Sequence, residues 1–214
     1  MVAVSDARAN WIRPPGPVAA GLRIGLLGGS FNPAHEGHLY VSDIALKRLG
    51  LDYVWWLVSP QNPLKSLRGM ASLEERLARA RCLTSHLPHI RVTNIEGQLG
   101  TRYTVDTVAR LSQRFPALRF VWLMGSDNLM TFHRWRNWQE LAHRIPIAVA
   151  IRPGTTLAPL ASKAAQYLAA FRVLDERGLV GAVPPAYVIL DARRSPASAT
   201  AIRARLLADP TAVC

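Results

Sequence analysis

The sequence predicts an α/β fold, an open parallel sheet with helices on both faces. Two observations lead there. Short apolar runs rich in Val, Ile, Leu and Trp alternate with longer amphipathic runs along most of the chain, the rhythm of strand, helix and parallel strand. The apolar runs are continuous rather than alternating, which suits strands covered on both faces.

In chain order, strands are expected at Arg23–Gly28, Tyr53–Val58, His89–Ile95, Arg119–Met124, Pro146–Ile151 and Tyr187–Leu190. Helices are expected between them at Gly37–Leu49, Ser72–Ser85, Thr104–Phe115, Trp138–Arg144, Pro159–Phe171 and Ala199–Leu206. Ser72 followed by Glu75 has the form of a capping box, a local start signal independent of hydrophobicity. The Gly- and Pro-punctuated stretch 174–185 reads as a loop, and no internal repeat is present. Residues 1–21, with Pro14, Pro15 and Pro17, read as a flexible N-terminal extension, and residues 22–214 as a single domain.

Composition narrows the class. At 214 residues and 50% hydrophobic, the chain can enclose one substantial core, and disorder is excluded. A net charge of +12 points to an anionic partner without choosing between nucleic acid and small nucleotides. The Arg residues are scattered through the expected helices and the aromatic strands read as buried, so a nucleic-acid partner is not expected. The apolar groups are strand-sized, far below the roughly 20 residues that span a bilayer, and 1–21 lacks the apolar segment of a signal peptide. Cys82 and Cys214 form neither a disulfide framework nor a ligand spacing, so a cytoplasmic location is expected. A homo-oligomer is left open.

The chemistry is expected in the loop after the first strand. Ligands of open parallel sheets bind beyond the carboxyl ends of the strands, where strand order reverses. There the chain reads Gly28-Gly29-Ser30-Phe31-Asn32-Pro33-Ala34-His35-Glu36-Gly37-His38. The paired glycines free backbone N–H groups for close approach. His35 and His38, three apart, share one face of a first helical turn, at the end of a helix that favours phosphate. No Cys, Asp or third His stands at ligand spacing, so no resident metal is expected. The loop lacks the Gly-Lys-Ser/Thr ending of a Walker loop and the Gly-x-Gly-x-x-Gly of a dinucleotide site.

Four further segments accompany it: Ser59-Pro60-Gln61-Asn62-Pro63-Leu64-Lys65, Tyr103-Thr104-Val105-Asp106-Thr107, Gly125-Ser126-Asp127-Asn128-Leu129 with Phe132, Trp135 and Trp138, and Ser198-Ala199-Thr200-Ala201-Ile202-Arg203. In content and order these resemble the His-x-Gly-His nucleotidyltransferases, and among them the bacterial nicotinate-nucleotide adenylyltransferases, over about Arg23 to Arg205.

The resemblance implies a Rossmann-like nucleotidyltransferase fold and transfer of AMP from ATP to nicotinic acid mononucleotide, in NAD biosynthesis, with Mg²⁺ accompanying ATP. Such an attack needs positioning and charge neutralisation more than a base, because the nucleophile is already an anion. By the resemblance, His35, His38 and Arg203 are catalytic. Gly28, Gly29, Ser30, Phe31, Gly125, Asp127, Arg152, Ser198 and Thr200 join them in binding ATP. Asn32, Asn62, Lys65, Tyr103, Thr104 and Trp135 meet the acceptor nucleotide, with Trp135 as the plane under the pyridine ring; Trp138 reads as core. Nicotinamide mononucleotide or phosphopantetheine are alternative acceptors for the same fold. A class I aminoacyl-tRNA synthetase has a similar loop, but no Lys-Met-Ser-Lys-Ser element follows here. Two positions depart from the family pattern: Asn32 stands where many relatives carry Asp, and Leu64 where a His is frequent.

Overall fold

Runs such as Tyr53-Val54-Trp55-Trp56-Leu57-Val58 favour extended backbone because branched and aromatic side chains pack well on a pleated surface. In the computed structural model, which describes residues 12–60, 70–151 and 158–191, six such runs form strands: β1 (Arg23–Gly29), β2 (Tyr53–Val58), β3 (Ile90–Thr93), β4 (Arg119–Gly125), β5 (Ile147–Ile151) and β6 (Tyr187–Asp191). They pair in one parallel sheet in the order β3-β2-β1-β4-β5-β6. The helices are α1 (Glu36–Leu49), α2 (Leu73–Leu83), α3 (Ile95–Leu99), α4 (Thr104–Arg114), α5 (Ser126–Thr131), α6 (Trp138–Arg144) and α7 (Lys163–Ala169).

The two faces of the sheet carry separate cores. Leu27, Val54, Trp56, Val121 and Leu123 meet Leu39, Ile44 and Leu49 of α1 and Leu77 of α2. Ile24, Leu26, Trp55, Leu57 and Trp122 meet Val105, Val108 and Leu111 of α4 and Leu141 of α6. The neighbours Trp55 and Trp56 both have no exposed surface, although they point to opposite faces. That double burial is why the strands read as unbroken apolar runs.

Local chemistry sets the helix starts. Ser72 accepts from Glu75 N at 3.1 Å while the Glu75 carboxylate accepts from Ser72 N at 3.0 Å, the capping box expected at α2. Three expectations are revised. The third strand ends at Thr93, because Ile95 begins α3, a helix of 5 residues closed at Gly100 and too short to show a period. β4 runs directly into α5 without a loop, so α5 escapes a reading by periodicity. The single helix expected over Pro159–Phe171 is a 3₁₀ turn at Ala158–Ala161 followed by α7, split by Ser162, whose hydroxyl accepts from Ala165 N. Within the stretch expected as loop, Arg177–Gly181 forms a 3₁₀ turn. The expected helix Ala199–Leu206 lies outside the described residues.

Residues 12–21 lie against the body of the domain. Arg13 N donates to the Gln98 side chain at 3.0 Å and Gly21 N to Ala117 O at 2.8 Å, and Ile12 packs on the second core. No helix among the described residues is long and apolar enough to cross a membrane.

Candidate active site

β1 lies between β2 and β4, so the chain leaves β1 toward one half of the sheet and returns through β4 to build the other. Loops diverge at such a reversal and open a crevice. Here it is a cleft of about 550 Å³, lined from the β1–α1 loop, the start of α4, the start of α5 and the turn that follows α5.

The β1–α1 loop is tightly specified. A Cβ on Gly28 would stand 2.5 Å from Cη2 of Trp122, so only glycine lets β1 pass over that indole. Phe31 takes the left-handed conformation, φ 47°, a strained choice for a bulky residue. It is held there by burial, with its ring 4.9 Å from Trp56 in a stacked arrangement and 4.5 Å from the His38 ring.

His35 and His38 form the start of α1. His35 is the N-cap, its Nδ1 accepting from Gly37 N at 3.0 Å, and His38 Nδ1 accepts from His35 N at 3.3 Å. The ring centroids are 4.0 Å apart. An imidazole nitrogen that accepts a backbone N–H carries no proton, so in both neutral rings the proton sits on Nε2. The capping geometry therefore selects one tautomer and makes Nε2 of both residues a donor. The two side chains line the cleft at a helix N-terminus, where the backbone already favours an anion.

Arg76 of α2 supports this loop from behind. It is 2% exposed and donates to four backbone carbonyls: Nη1 to Ser30 O at 2.7 Å and Ser59 O at 2.8 Å, Nη2 to Pro60 O at 3.0 Å and Nε to Ala71 O at 3.1 Å. Asn32 adds a second tie, its side-chain oxygen accepting from Ala71 N at 3.2 Å.

Across the cleft, Asp127 lies in the first turn of α5. Its Oδ1 folds back to within 2.5 Å of where a Gly125 Cβ would be, so Gly125 makes room for the carboxylate. Gly125 is the N-cap of α5. The remaining wall is aromatic and basic. Trp135 stands edge-on to Trp122 and Phe132; Tyr103 and Thr104 open α4; and Arg102, Arg134 and Arg136 border the cleft. The Arg136 guanidinium lies 4.6 Å over the Tyr103 ring. Glu96 of α3 is a buried carboxyl in the same wall. Burial pushes it up to about 7, against hydrogen bonds from Ser59 and Thr107 that favour the ion.

Of the expected site residues, Gly28, Gly29, Ser30, Phe31, Asn32, His35, His38, Tyr103, Thr104, Asp127 and Trp135 all line this one cleft. Gly125 is not among the lining residues; it ends β4 and caps α5, beside Asp127. Asn62, Lys65, Arg152, Ser198, Thr200 and Arg203 lie outside the described residues. Trp138 packs between Phe132 and Tyr167 on the core, as expected. The sequence reading missed Arg76, Glu96, Trp122 and the three cleft arginines. Nothing in the spacing separates these arginines from the other basic residues of the chain, and Glu96 sits in a helix too short to read. Among the described residues no three His, Cys, Asp or Glu side chains cluster as metal ligands.

The cytidylyltransferase-like family matches residues 26–205. A probable nicotinate-nucleotide adenylyltransferase of Parvibaculum lavamentivorans is 54% identical over 187 residues, 86% of this chain and 92% of the relative. The chain belongs to the nicotinate-nucleotide adenylyltransferase family. A second member, from Methylorubrum extorquens and also described as probable, is 52% identical over 186 residues, 86% of this chain and 100% of that relative. A solved structure of Plasmodium falciparum nicotinic acid mononucleotide adenylyltransferase, complexed with APC, shares the fold at TM-score 0.58 and 15% identity, covering 79% of this chain and 74% of that one. In this family member, then, the imidazole pair and the aromatic, arginine-lined wall face one cleft at the strand-order reversal.

Proposed function

We propose that this chain transfers the AMP moiety of ATP to the phosphate of nicotinic acid mononucleotide, giving nicotinic acid adenine dinucleotide and pyrophosphate, as a cytoplasmic enzyme of NAD biosynthesis. The observation that carries the reading is the pairing, across one cleft, of two Nε2 donors at a helix N-terminus with the wall of Trp135, Tyr103 and Arg136. Relatives that are about half identical and carry that name support it.

An oxygen of the acceptor's phosphate attacks the α-phosphorus of ATP in line. The bond from that phosphorus to the bridging oxygen breaks and pyrophosphate departs with the electron pair, without a covalent intermediate. The acceptor phosphate is an anion, so no general base is needed. His35 and His38 donate from Nε2 to the triphosphate and stabilise charge on the leaving group, fixed dipoles aimed where charge develops. Gly28 to Phe31 present the loop backbone to the phosphates. By the family resemblance, Arg203, Ser198 and Thr200 flank the distal phosphates, Lys65 and Asn62 approach from the β2–α2 segment, and Asp127 with Arg152 meets the adenosine. Mg²⁺ accompanying ATP would supply further neutralisation of the triphosphate charge. Trp135 offers a face to the pyridine ring, Thr104 and Tyr103 polar contacts, and the cleft arginines a field that favours an acidic acceptor.

The test is pyrophosphate release from Mg-ATP with nicotinic acid mononucleotide, nicotinamide mononucleotide or phosphopantetheine in parallel. The reading expects turnover with the acid, weaker turnover with the amide, and a loss of about 100-fold or more in His38→Ala, the scale of an oxyanion-type donor. Preference for phosphopantetheine, or an unaffected His38→Ala, would overturn it.

A further inference from the structure

Three chain segments meet behind the cleft, and one side chain holds them. The Arg76 guanidinium joins Ser30 of the β1–α1 loop, Ser59 and Pro60 at the end of β2, and Ala71 just before α2. Ser30 and Ser59 line the cleft. Pro60 begins the segment that leads to Asn62 and Lys65. Four of the five N–H donors of the planar guanidinium are therefore used, and their fixed fork sets the distances between the carbonyls that accept them.

The guanidinium is held by hydrogen bonds to backbone rather than by a counter-ion among the described residues. A buried guanidinium loses hydration worth several kcal/mol, about what a well-made ion pair is needed to offset. Arg76 makes no ion pair among the described residues, and burial lowers its affinity for its proton. Glu75, beside it, is engaged in the Ser72 capping box. The acceptors are carbonyl dipoles only. The place of the guanidinium is therefore set by the three backbone segments it joins, two of which line the cleft.

We propose that Arg76 is a positioning residue for adenylyl transfer: it holds the His-bearing β1–α1 loop and the end of β2 at the spacing the reacting phosphates require, without touching them. The inference rests on the adenylyl-transfer reading. The end of β1 and the end of β2, already paired through Gly29 and Val58 and through Ser59 N to Gly29 O at 2.9 Å, are pinned on a second side by this guanidinium. A displacement on the order of 1 Å at reacting groups costs about 100-fold in rate, so the effect falls on kcat more than on ground-state binding.

The experiment compares wild type, Arg76→Lys and Arg76→Gln. Steady-state pyrophosphate release is measured with the acceptor that wild type uses, and kcat is normalised to ATP-binding sites counted by calorimetric titration, so that only folded protein is scored. Arg76→Lys keeps the charge but loses the fork. We expect its kcat per site to fall about 10- to 100-fold, with the KM for each substrate within about threefold of wild type, and Arg76→Gln to fall at least as far. If Arg76→Gln does not fold, Arg76→Lys alone decides. Wild-type kcat per site in Arg76→Lys, with only fewer sites or a lower Tm, would make the residue structural and overturn the proposal. An inactive wild type would instead remove the adenylyl-transfer reading on which it rests.

Discussion

Replacing Glu96 by Gln should stabilise the protein above neutral pH and leave it nearly unchanged in acid. The carboxyl is buried in the wall between α3 and α4, with Thr107 Oγ1 3.4 Å from Oε1 and a hydrogen bond from Ser59. Burial raises it from 4.5 to about 7 in the folded protein. Between those values the folded state keeps a proton that the unfolded chain has lost. Stability therefore falls as pH rises through this window, and the full penalty is present once pH exceeds 7. At about 1.4 kcal/mol per unit, the penalty is about 3 kcal/mol. Glutamine has the same shape, stays neutral, and lets the Ser59 and Thr107 hydroxyls rotate to accept from its amide. Urea denaturation followed by tryptophan fluorescence at pH 5 and pH 8, for both proteins, isolates the effect, because every other titrating group is common to both. Glu96→Gln should gain about 2–3 kcal/mol over wild type at pH 8 and much less at pH 5. An equal difference at the two pH values, or a less stable variant at pH 8, would refute the assignment of a desolvated carboxyl.

Other perturbations have equally definite outcomes. Gly28→Ala places a methyl group against Trp122; it should cost about 1–3 kcal/mol by denaturation and raise the KM for ATP. Ser42→Ala removes the acceptor of the buried Trp56 Nε1–H, now bonded at 2.8 Å; leaving that donor unsatisfied should cost about 1–3 kcal/mol, read as a lower urea midpoint. Arg136→Ala takes a cation from above Tyr103; it should raise the KM for the acidic acceptor by the few-fold that about 0.5–1 kcal/mol implies, leaving the KM for ATP unchanged.

Much of the site was legible because its chemistry is local in sequence. His35 and His38 share a turn, Gly28 and Gly29 end a strand, and the capping box of α2 is written in Ser72 and Glu75. Strand positions were legible for a related reason: burial on both faces leaves unbroken apolar runs. What stayed hidden depends on contacts between distant segments. Arg76 looks like any helical arginine until α2 is placed behind Ser30 and Ser59. Arg102 and Arg136 become a pair only when the start of α4 meets the turn after α5, around Tyr103. The tautomer of the histidines likewise required backbone geometry, since spacing cannot say which nitrogen caps the helix. The short helices α3 and α5 were missed because 5 and 6 residues do not complete two turns of a repeating face.

The central claim is that AMP passes from ATP to a nicotinate nucleotide in the cleft headed by His35 and His38. Incubating the purified protein with Mg-ATP labelled at the α-phosphate and nicotinic acid mononucleotide, then resolving the products, tests it most directly. The account predicts that the label appears in nicotinic acid adenine dinucleotide with one pyrophosphate released per dinucleotide, and that His38→Ala abolishes most of that transfer. Label remaining in ATP, or passing to free AMP without a dinucleotide, would contradict it.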